Sequence, residues 1–248
     1  MAERWGRQTP ALISPPEAEE EVDYITLLPD AIIHHIFSFL PYKDVVKASV
    51  LSRQWHFAWT STPCIDLSLL SEGVVPSISR ALRLCTATKV DRFHFDPSMS
   101  DLYIPTEFDR WFHFAVVRKV EEAFLGFGHW YNVIPRFLCN CASLVSLHVF
   151  TYYNNGIMRI LSGCPVLESL TFRLSYGPCD VQIDSRCLQE LVIEAFHTLS
   201  LDISAPNLLS LCLTGRFSLI GFRLNGASSL AEAELHFDKA NCFFRLLL

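Results

Sequence analysis

Charged residues are scarce in this 248-residue sequence, at 19% of the total against about 25% in an average soluble protein. The 20 Lys and Arg residues lie singly along the chain, and 26 Asp and Glu residues give a net charge of −6. Proteins that bind nucleic acid usually gather basic side chains into a patch that neutralises phosphates. The sequence therefore argues against a nucleic-acid partner.

Long hydrophobic runs are also missing, although half of the residues are hydrophobic. No stretch approaches the roughly 18 consecutive apolar residues of a membrane-spanning helix. The N-terminal sequence, MAERWGRQTPALISPPEAEEE, lacks the apolar centre of a secretory signal. We expect a soluble intracellular protein in the nucleus, the cytoplasm or both, with no membrane partner.

The nine cysteines include no Cys-x-x-Cys pair, the spacing in which structural zinc sites usually supply ligands. Their odd number, without a secretory signal, favours free thiols in a reducing compartment. Most lie among leucines, where a free cysteine packs as a small hydrophobic residue. We therefore expect neither a metal site nor a disulfide framework.

Catalytic motifs are not evident either. Ser162-Gly163-Cys164 could suggest a nucleophile, but no Gly-x-Ser-x-Gly turn surrounds it. A hydrolase that uses a cysteine stays open as an alternative, because the distance between a Cys and a His cannot be read from sequence. We expect a protein that is not an enzyme, with no catalytic residues and no cofactor.

Three regions differ in composition. Residues 1–22 predict a disordered leader, because prolines interrupt any periodicity and an acidic run follows them. Residues 24–62 predict three short helices: Pro29 suits the start of the first, Pro41 ends it, and Ser52 can cap the third. So small a unit has little core of its own, so we expect it to dock on another surface.

A repeated pattern dominates the rest of the chain. The motif Leu-x-x-Leu-x-Leu, or a close copy, begins at Leu144, Leu167, Leu188, Leu208 and Leu230. The starts are 23, 21, 20 and 22 residues apart, within the range of leucine-rich repeats. Two degenerate copies begin at Val90 and Val120. The alternative, buried strands of an ordinary α/β domain, does not account for the near-constant spacing.

The motif also predicts which side chains face outward. Positions one, four and six point into the stack of repeats, and the alternate strand residues point to the other face. An outward face of this kind commonly binds an extended partner, and its mildly acidic character favours a basic target. An ordinary solvated sheet face is the alternative for each residue. The predicted target-binding residues are Ser146, His148, Ser169, Thr171, Arg173, Glu190, Val192, Glu194, Ser210, Cys212, Glu234 and His236.

The first folded segment resembles an F-box, the module that docks substrate receptors on Skp–cullin–F-box ubiquitin ligases. The resemblance rests on Leu28-Pro29-Asp30, Ser38-Phe39-Leu40-Pro41 and Val50-Leu51-Ser52-Arg53, with Trp55 and Trp59 at the expected spacing. Gln54 departs from the basic residue usual in the plant pattern. The resemblance implies docking on a Skp-type adaptor through Leu28, Pro29, Ile33, Ile36, Leu40, Val45 and Trp55. For Ile36 and Trp55, a purely structural role in the helical core is an equal alternative.

The remainder resembles the leucine-rich repeats of the plant F-box/LRR family, whose longer members carry a C-terminal FBD segment. The matching blocks lie at 134–144, 161–168 and 205–208. The resemblance implies an α/β fold with a three-helix F-box at 23–70 and an irregular leucine-rich-repeat horseshoe at 75–248. It also implies a non-catalytic receptor that binds the Skp-type adaptor, through it cullin, and an unknown target protein. A scaffold or decoy that recruits no cullin is the alternative.

The C-terminal run from Cys242 to Leu248 is apolar, and the FBD segment does not follow it. Solenoids need a terminal cap, because the last repeat otherwise exposes its stacking surface. We expect a chain truncated relative to its family that exposes apolar surface and self-associates. The alternative is that this run folds back over the open edge. Light scattering coupled to size-exclusion chromatography distinguishes the two.

Overall fold

The computed structural model of the chain describes residues 24–68, 72–97, 105–127, 140–151, 163–175, 179–197, 199–216, 219–237 and 242–247. The predicted leader at 1–22, the repeat block at 134–138 and Ser162 lie outside the described residues. Within the described ranges, no helix is long and apolar enough to cross a membrane.

The three predicted helices are present as α1 (Asp30–Phe37), α2 (Tyr42–Lys47) and α3 (Arg53–Ala58). Pro29 and Pro41 occupy the N-cap positions of α1 and α2, where a missing backbone N–H matters little. The Ser52 hydroxyl accepts a hydrogen bond from the backbone N–H of Trp55 at 3.3 Å, so Ser52 caps α3 as predicted.

All seven predicted repeat motifs form parallel strands of one sheet, and each strand begins two residues after its motif does. The leucines of the motifs that begin at 144, 167, 188 and 208 are buried, as predicted. Burial alternates along the strands at 146–151, 169–174 and 190–195, as expected when one sheet face packs on a core. The strands are β2 (Arg92–Phe95), β3 (Glu122–Phe127), β4 (Ser146–Thr151), β5 (Ser169–Leu174), β7 (Glu190–Ala195), β9 (Ser210–Gly215) and β11 (Glu232–Phe237).

An additional strand, β1 (Cys64–Leu67), pairs in parallel with β2 and begins the sheet. The helices connect directly to it: the backbone N–H of Thr86 donates to the Thr60 carbonyl at 2.6 Å, and that of Asp91 to the Pro63 carbonyl at 2.8 Å. Helix and sheet residues belong to one hydrophobic core. A domain boundary between residues 70 and 75 stays a prediction.

The second layer of the fold changes character along the chain. At its start, helices α4 (Val75–Leu84) and α5 (Pro105–Val117) cover the buried side of the large sheet. The ring of Phe112 lies 5.9 Å from that of Phe93 and 4.9 Å from that of Phe95, both edge to face. Further along, this layer is a parallel three-stranded sheet of β6 (Cys179–Asp184), β8 (Leu199–Ser204) and β10 (Leu219–Asn225). This mixture is the predicted irregular α/β solenoid.

The C-terminal run forms β12 (Cys242–Leu247), which pairs antiparallel with β11. Among the described residues, it is the last strand of the nine-stranded sheet β1-β2-β3-β4-β5-β7-β9-β11-β12. Its backbone therefore occupies hydrogen-bonding positions along β11 that an edge strand would leave open. This is the fold-back arrangement named above as the alternative. Self-association in solution stays a prediction.

Candidate functional site

The predicted adaptor-binding residues divide by burial. Ile33 and Val45 have no exposed surface, and Trp55 is 5% exposed. The Trp55 indole N–H donates to the Ile25 carbonyl at 3.1 Å, and its ring lies edge to face on Phe37 at 5.3 Å. These three predicted contact residues lie inside the core of the chain, where they support the surface of the helical region. Their part in adaptor binding stays a prediction.

The other predicted adaptor-binding residues lie nearer the surface. Pro29 is exposed, whereas Leu28, Ile36 and Leu40 are half-buried and pack partly against the core. The Gln54 side-chain N–H group donates to the Leu28 carbonyl at 2.7 Å and to the Asp30 carboxylate at 2.9 Å. Gln54 thus fixes the start of α1 against α3, a structural role for the residue that departs from the plant pattern.

Sequence reasoning missed the most exposed apolar side chains of this region. Residues 24–57 hold eight of the fifteen large exposed hydrophobic residues in the described part of the chain. Contiguous exposed apolar surface often marks a contact site for another protein, which makes these residues candidates for one. The available signal was that these residues fall outside the helical stripe that packs the core. We call them the exposed apolar set: Tyr24, Ile25, Leu27, Ile32, Phe39, Val50, Leu51 and Phe57.

The second candidate surface is the face of the large sheet that points away from the buried leucines, which we call the open face. Strand register aligns its side chains in rows across neighbouring strands. The predicted target-binding residues lie in three of these rows, together with Phe150, Thr214 and Glu232, which the sequence reasoning missed. The rows are Ser146-Ser169-Glu190-Ser210-Glu232, His148-Thr171-Val192-Cys212-Glu234 and Phe150-Arg173-Glu194-Thr214-His236.

Negative charge dominates the open face. From β1 to β11 it carries six carboxylates and two arginines, a net charge of −4 with histidines neutral. Both arginines pair with glutamates, Arg92 with Glu122 at 2.7 Å and Arg173 with Glu194 at 2.9 Å. On β7, β9 and β11 the open face has carboxylates and neither Lys nor Arg. The half of the open face farther from α1–α3 therefore attracts cations.

An aromatic row occupies the opposite end of the open face. The Phe124 ring stacks on His148 at 4.2 Å with an interplanar angle of 2°, and lies 5.6 Å from His94. Burial lowers the pKa of His148, so this imidazole is neutral at pH 7. His94 and Phe124 belong to degenerate repeats, where the weaker motif concealed their outward direction.

A cleft of about 200 Å³ lies beside this aromatic row, where the end of α1 meets β1 and β2. Its lining includes Phe37 and Ser38 from the helical region and Asp66, His94 and Phe124 from the sheet. Burial alone would raise the pKa of Asp66, but hydrogen bonds from His94 and the backbone N–H of Ser68 lower it overall. The carboxylate is therefore ionised at neutral pH.

The described residues give little support for a nucleophilic site or a metal site. Burial raises the pKa of the Cys64, Cys85 and Cys212 thiols, which keeps them protonated at neutral pH. Cys164, from the Ser-Gly-Cys segment, is buried. No group of three or more His, Cys, Asp or Glu side chains in the described ranges is arranged to hold a metal ion.

Comparisons with known proteins identify similar sequences. Residues 25–66 match the family model described as F-box domain. The chain is 32% identical to the F-box protein At5g03100 of Arabidopsis thaliana, over 88% of this chain and 78% of that protein. It is 28% identical to F-box/LRR-repeat protein 13 of the same species, over 88% of this chain and 57% of that protein. The chain spans about half the length of several other curated relatives that it matches.

Proposed function

Since this chain belongs to the plant family of F-box and F-box/LRR-repeat proteins, we propose that it is a substrate-recognition subunit of a Skp–cullin–F-box ubiquitin ligase. Its helical region would bind a Skp-type adaptor, and its repeats would hold a target protein. The protein would work by raising the local concentration of the target near the ubiquitin-charged enzyme, and not by bond chemistry of its own. Such a role places it in the nucleus, the cytoplasm or both.

The observation that carries this proposal is the exposed apolar set on the helical region. Tyr24 is 76% exposed and Val50 is 86% exposed. Exposing so much apolar area to water is unfavourable, and covering it on association returns roughly 25 cal/mol per Å² before the costs of binding. An adaptor with an apolar groove would cover this surface.

We expect the double variant Leu28→Ala with Pro29→Ala to bind a Skp-type adaptor at least about 30-fold more weakly, because truncated apolar anchors often cost about 2 kcal/mol or more. Isothermal titration calorimetry with the purified adaptor measures this loss. The matched control is Leu209→Ala, a 44% exposed leucine of the repeats, which should bind normally. An unchanged affinity in the double variant would show that the start of α1 is not part of the interface.

Recruitment of cullin separates the proposal from its alternative. A pull-down of the full chain with purified adaptor and cullin should recover all three proteins in one complex. A scaffold or decoy would recover the adaptor alone, or neither partner. That result would leave target binding by the repeats as the remaining function.

The charge of the open face favours a target with a basic segment. Four carboxylates lie on β7 and β11, among them Glu190, which accepts a hydrogen bond from the Ser169 hydroxyl at 3.2 Å, and Glu234, which lies 3.8 Å from His236. A complementary basic segment would be steered to this face, and its binding would weaken as salt screens the charges.

We expect Glu190→Gln with Glu234→Gln to weaken binding of a synthetic Lys/Arg-rich peptide about fivefold, since exposed charge pairs contribute up to about 1 kcal/mol each. Fluorescence anisotropy at low and at physiological salt measures the change. The matched control, Asp180→Asn with Asp184→Asn, removes the same charge from β6 in the other sheet. Equal losses in the two double variants would mean that the peptide senses only the net charge of the chain.

A further inference from the structure

A cavity lies between α4 and α5, and none of the residues that line it belongs to either of the two surfaces above. This α4–α5 groove has a volume of about 510 Å³, within the range of clefts that hold small organic ligands. Because α4 and α5 pack on the buried side of the large sheet, the sheet itself separates the groove from the open face.

The floor of the groove is apolar and fixed. Leu82 and Trp111 are almost completely buried, and Val117 is 60% exposed at the rim. The Trp111 indole N–H donates to the Ser79 hydroxyl at 2.9 Å, and that hydroxyl donates in turn to the Glu107 carboxylate. This chain of hydrogen bonds joins the two helices, so the groove is formed before any ligand arrives.

The rim of the groove is basic, in a protein whose net charge is −6. It is lined by three arginines, Arg83, Arg110 and Arg118, and by one carboxylate, Glu107. With histidine counted as neutral, the local charge is +2. Arg110 pairs with Glu107 at 2.7 Å. Among the described residues, no carboxylate pairs with Arg83 or Arg118.

Arg118 supplies a positive charge in a fixed position. Its guanidinium donates to the Ala87 and Cys85 carbonyls at 3.0 and 3.1 Å, and lies 3.9 Å from the centre of the Phe114 ring. Both acceptors are neutral, so these bonds hold the guanidinium in place without cancelling its charge. A planar cation stacked on an aromatic ring beside an apolar floor suits a ligand that is both flat and anionic.

We propose that the α4–α5 groove binds a small organic anion with a flat apolar body, such as an aromatic carboxylate. Its apolar part would cover Leu82, Trp111 and Val117, and its carboxylate would face Arg83 and Arg118, the two arginines of the groove without a described carboxylate partner. The site does not depend on adaptor binding or on the target, so it can be tested separately from the proposed function.

The test uses the full chain and two probes of almost equal shape, 2-naphthoate and its neutral amide, 2-naphthamide. Calorimetric titration should give a submillimolar Kd for the naphthoate and an affinity at least tenfold lower for the amide. Arg83→Gln should weaken naphthoate binding at least threefold. The matched control is Arg80→Gln, which removes an exposed arginine of the same helix that does not line the groove, and should leave the Kd unchanged.

The location of the probe is read separately from the indole N–H resonance of Trp111, identified by its loss in Trp111→Phe. This resonance should shift on addition of naphthoate and not on addition of the amide at the same concentration. Any one of four results would overturn the proposal: no binding of naphthoate, equal affinity for both probes, equal effects of the Arg83 and Arg80 variants, or a Trp111 resonance that does not shift. In those cases the groove would be left for a protein partner or for solvent.

Discussion

Replacing Leu170 with Asp should unfold the repeats around β5 and lower the free energy of unfolding by about 4 kcal/mol or more. Leu170 has no exposed surface and is aligned with Leu147 on β4 and Leu191 on β7. The variant would place an unpaired carboxylate among these leucines. At about 2–4 °C per kcal/mol for a protein of this size, the thermal midpoint should fall by about 10 °C. Far-UV circular dichroism during heating measures both effects.

The neighbouring residue supplies the control. Thr171 follows Leu170 on β5 but points to the open face, where it is half-buried. Thr171→Asp therefore introduces the same carboxylate at a solvent-accessible position, and its melting curve should stay close to that of the unmodified protein. A melting curve for Leu170→Asp that matches the unmodified protein would show that the register of the sheet in solution is different.

A second large effect is expected at Gly215, the last residue of β9. Its backbone has a φ of +121°, and a Cβ atom there would lie 2.0 Å from the carbonyl oxygen of Ala195 on β7. Such a contact is with backbone, so it can be relieved only by separating two paired strands. We expect Gly215→Ala to destabilise the protein by about 3 kcal/mol or more, from backbone strain and overpacking together. Chemical denaturation measures the loss.

Two other glycines distinguish the effect of backbone strain from that of overpacking. Gly226 has a φ of +70° but open space around its Cα, so Gly226→Ala should cost only the strain of a positive φ, about 1 kcal/mol. Gly73 has neither a positive φ nor a close neighbour, and Gly73→Ala should leave stability nearly unchanged. If the Gly215 and Gly226 variants lose the same stability, the close approach of β7 and β9 does not exist in solution.

The sequence predicted the repeat strands well, because a fixed spacing of leucines can be read without any knowledge of contacts. It missed β1 for a specific reason. Residues 62–67 follow the motif in its fourth and sixth positions, with Ile65 and Leu67, but Thr62 stands at the first. Thr62 is fully buried, and its hydroxyl lies 3.4 Å from both the backbone N–H and the carbonyl of Cys64. A polar residue that completes its hydrogen bonds locally can thus replace a leucine, and the pattern becomes unrecognisable.

The second sheet was missed because the leucine motif marks only one strand of each repeat. Alternating apolar residues such as Leu199, Leu201 and Ile203 are typical of a strand with one buried face. They lie between two copies of the motif, where a horseshoe more often has a helix or an irregular segment. The spacing of the motif determines where each strand of the large sheet begins, but not which secondary structure the chain forms between two motifs.

Candidate surfaces were harder to predict than the fold. The helical region is apolar on several sides, and the sequence does not show which apolar side chains a short helix buries. Ile32 and Ile33 are adjacent and chemically identical, yet Ile32 is 46% exposed and Ile33 is fully buried. Outward directions on the sheet were easier, since a strand alternates strictly and one buried leucine determines the direction of its neighbours.

The Thr60 and Pro63 carbonyls accept hydrogen bonds from the repeat region, and the helices and the sheet share one core. In the proposed ubiquitin ligase this would have a geometric consequence. A receptor whose two binding regions form one rigid body would hold its target at a single angle to the ligase. Tight binding would then be insufficient for modification, because only lysines on the side of the target turned toward the conjugating enzyme come within reach. Two targets bound with equal strength could differ completely in fate, according to where their lysines lie.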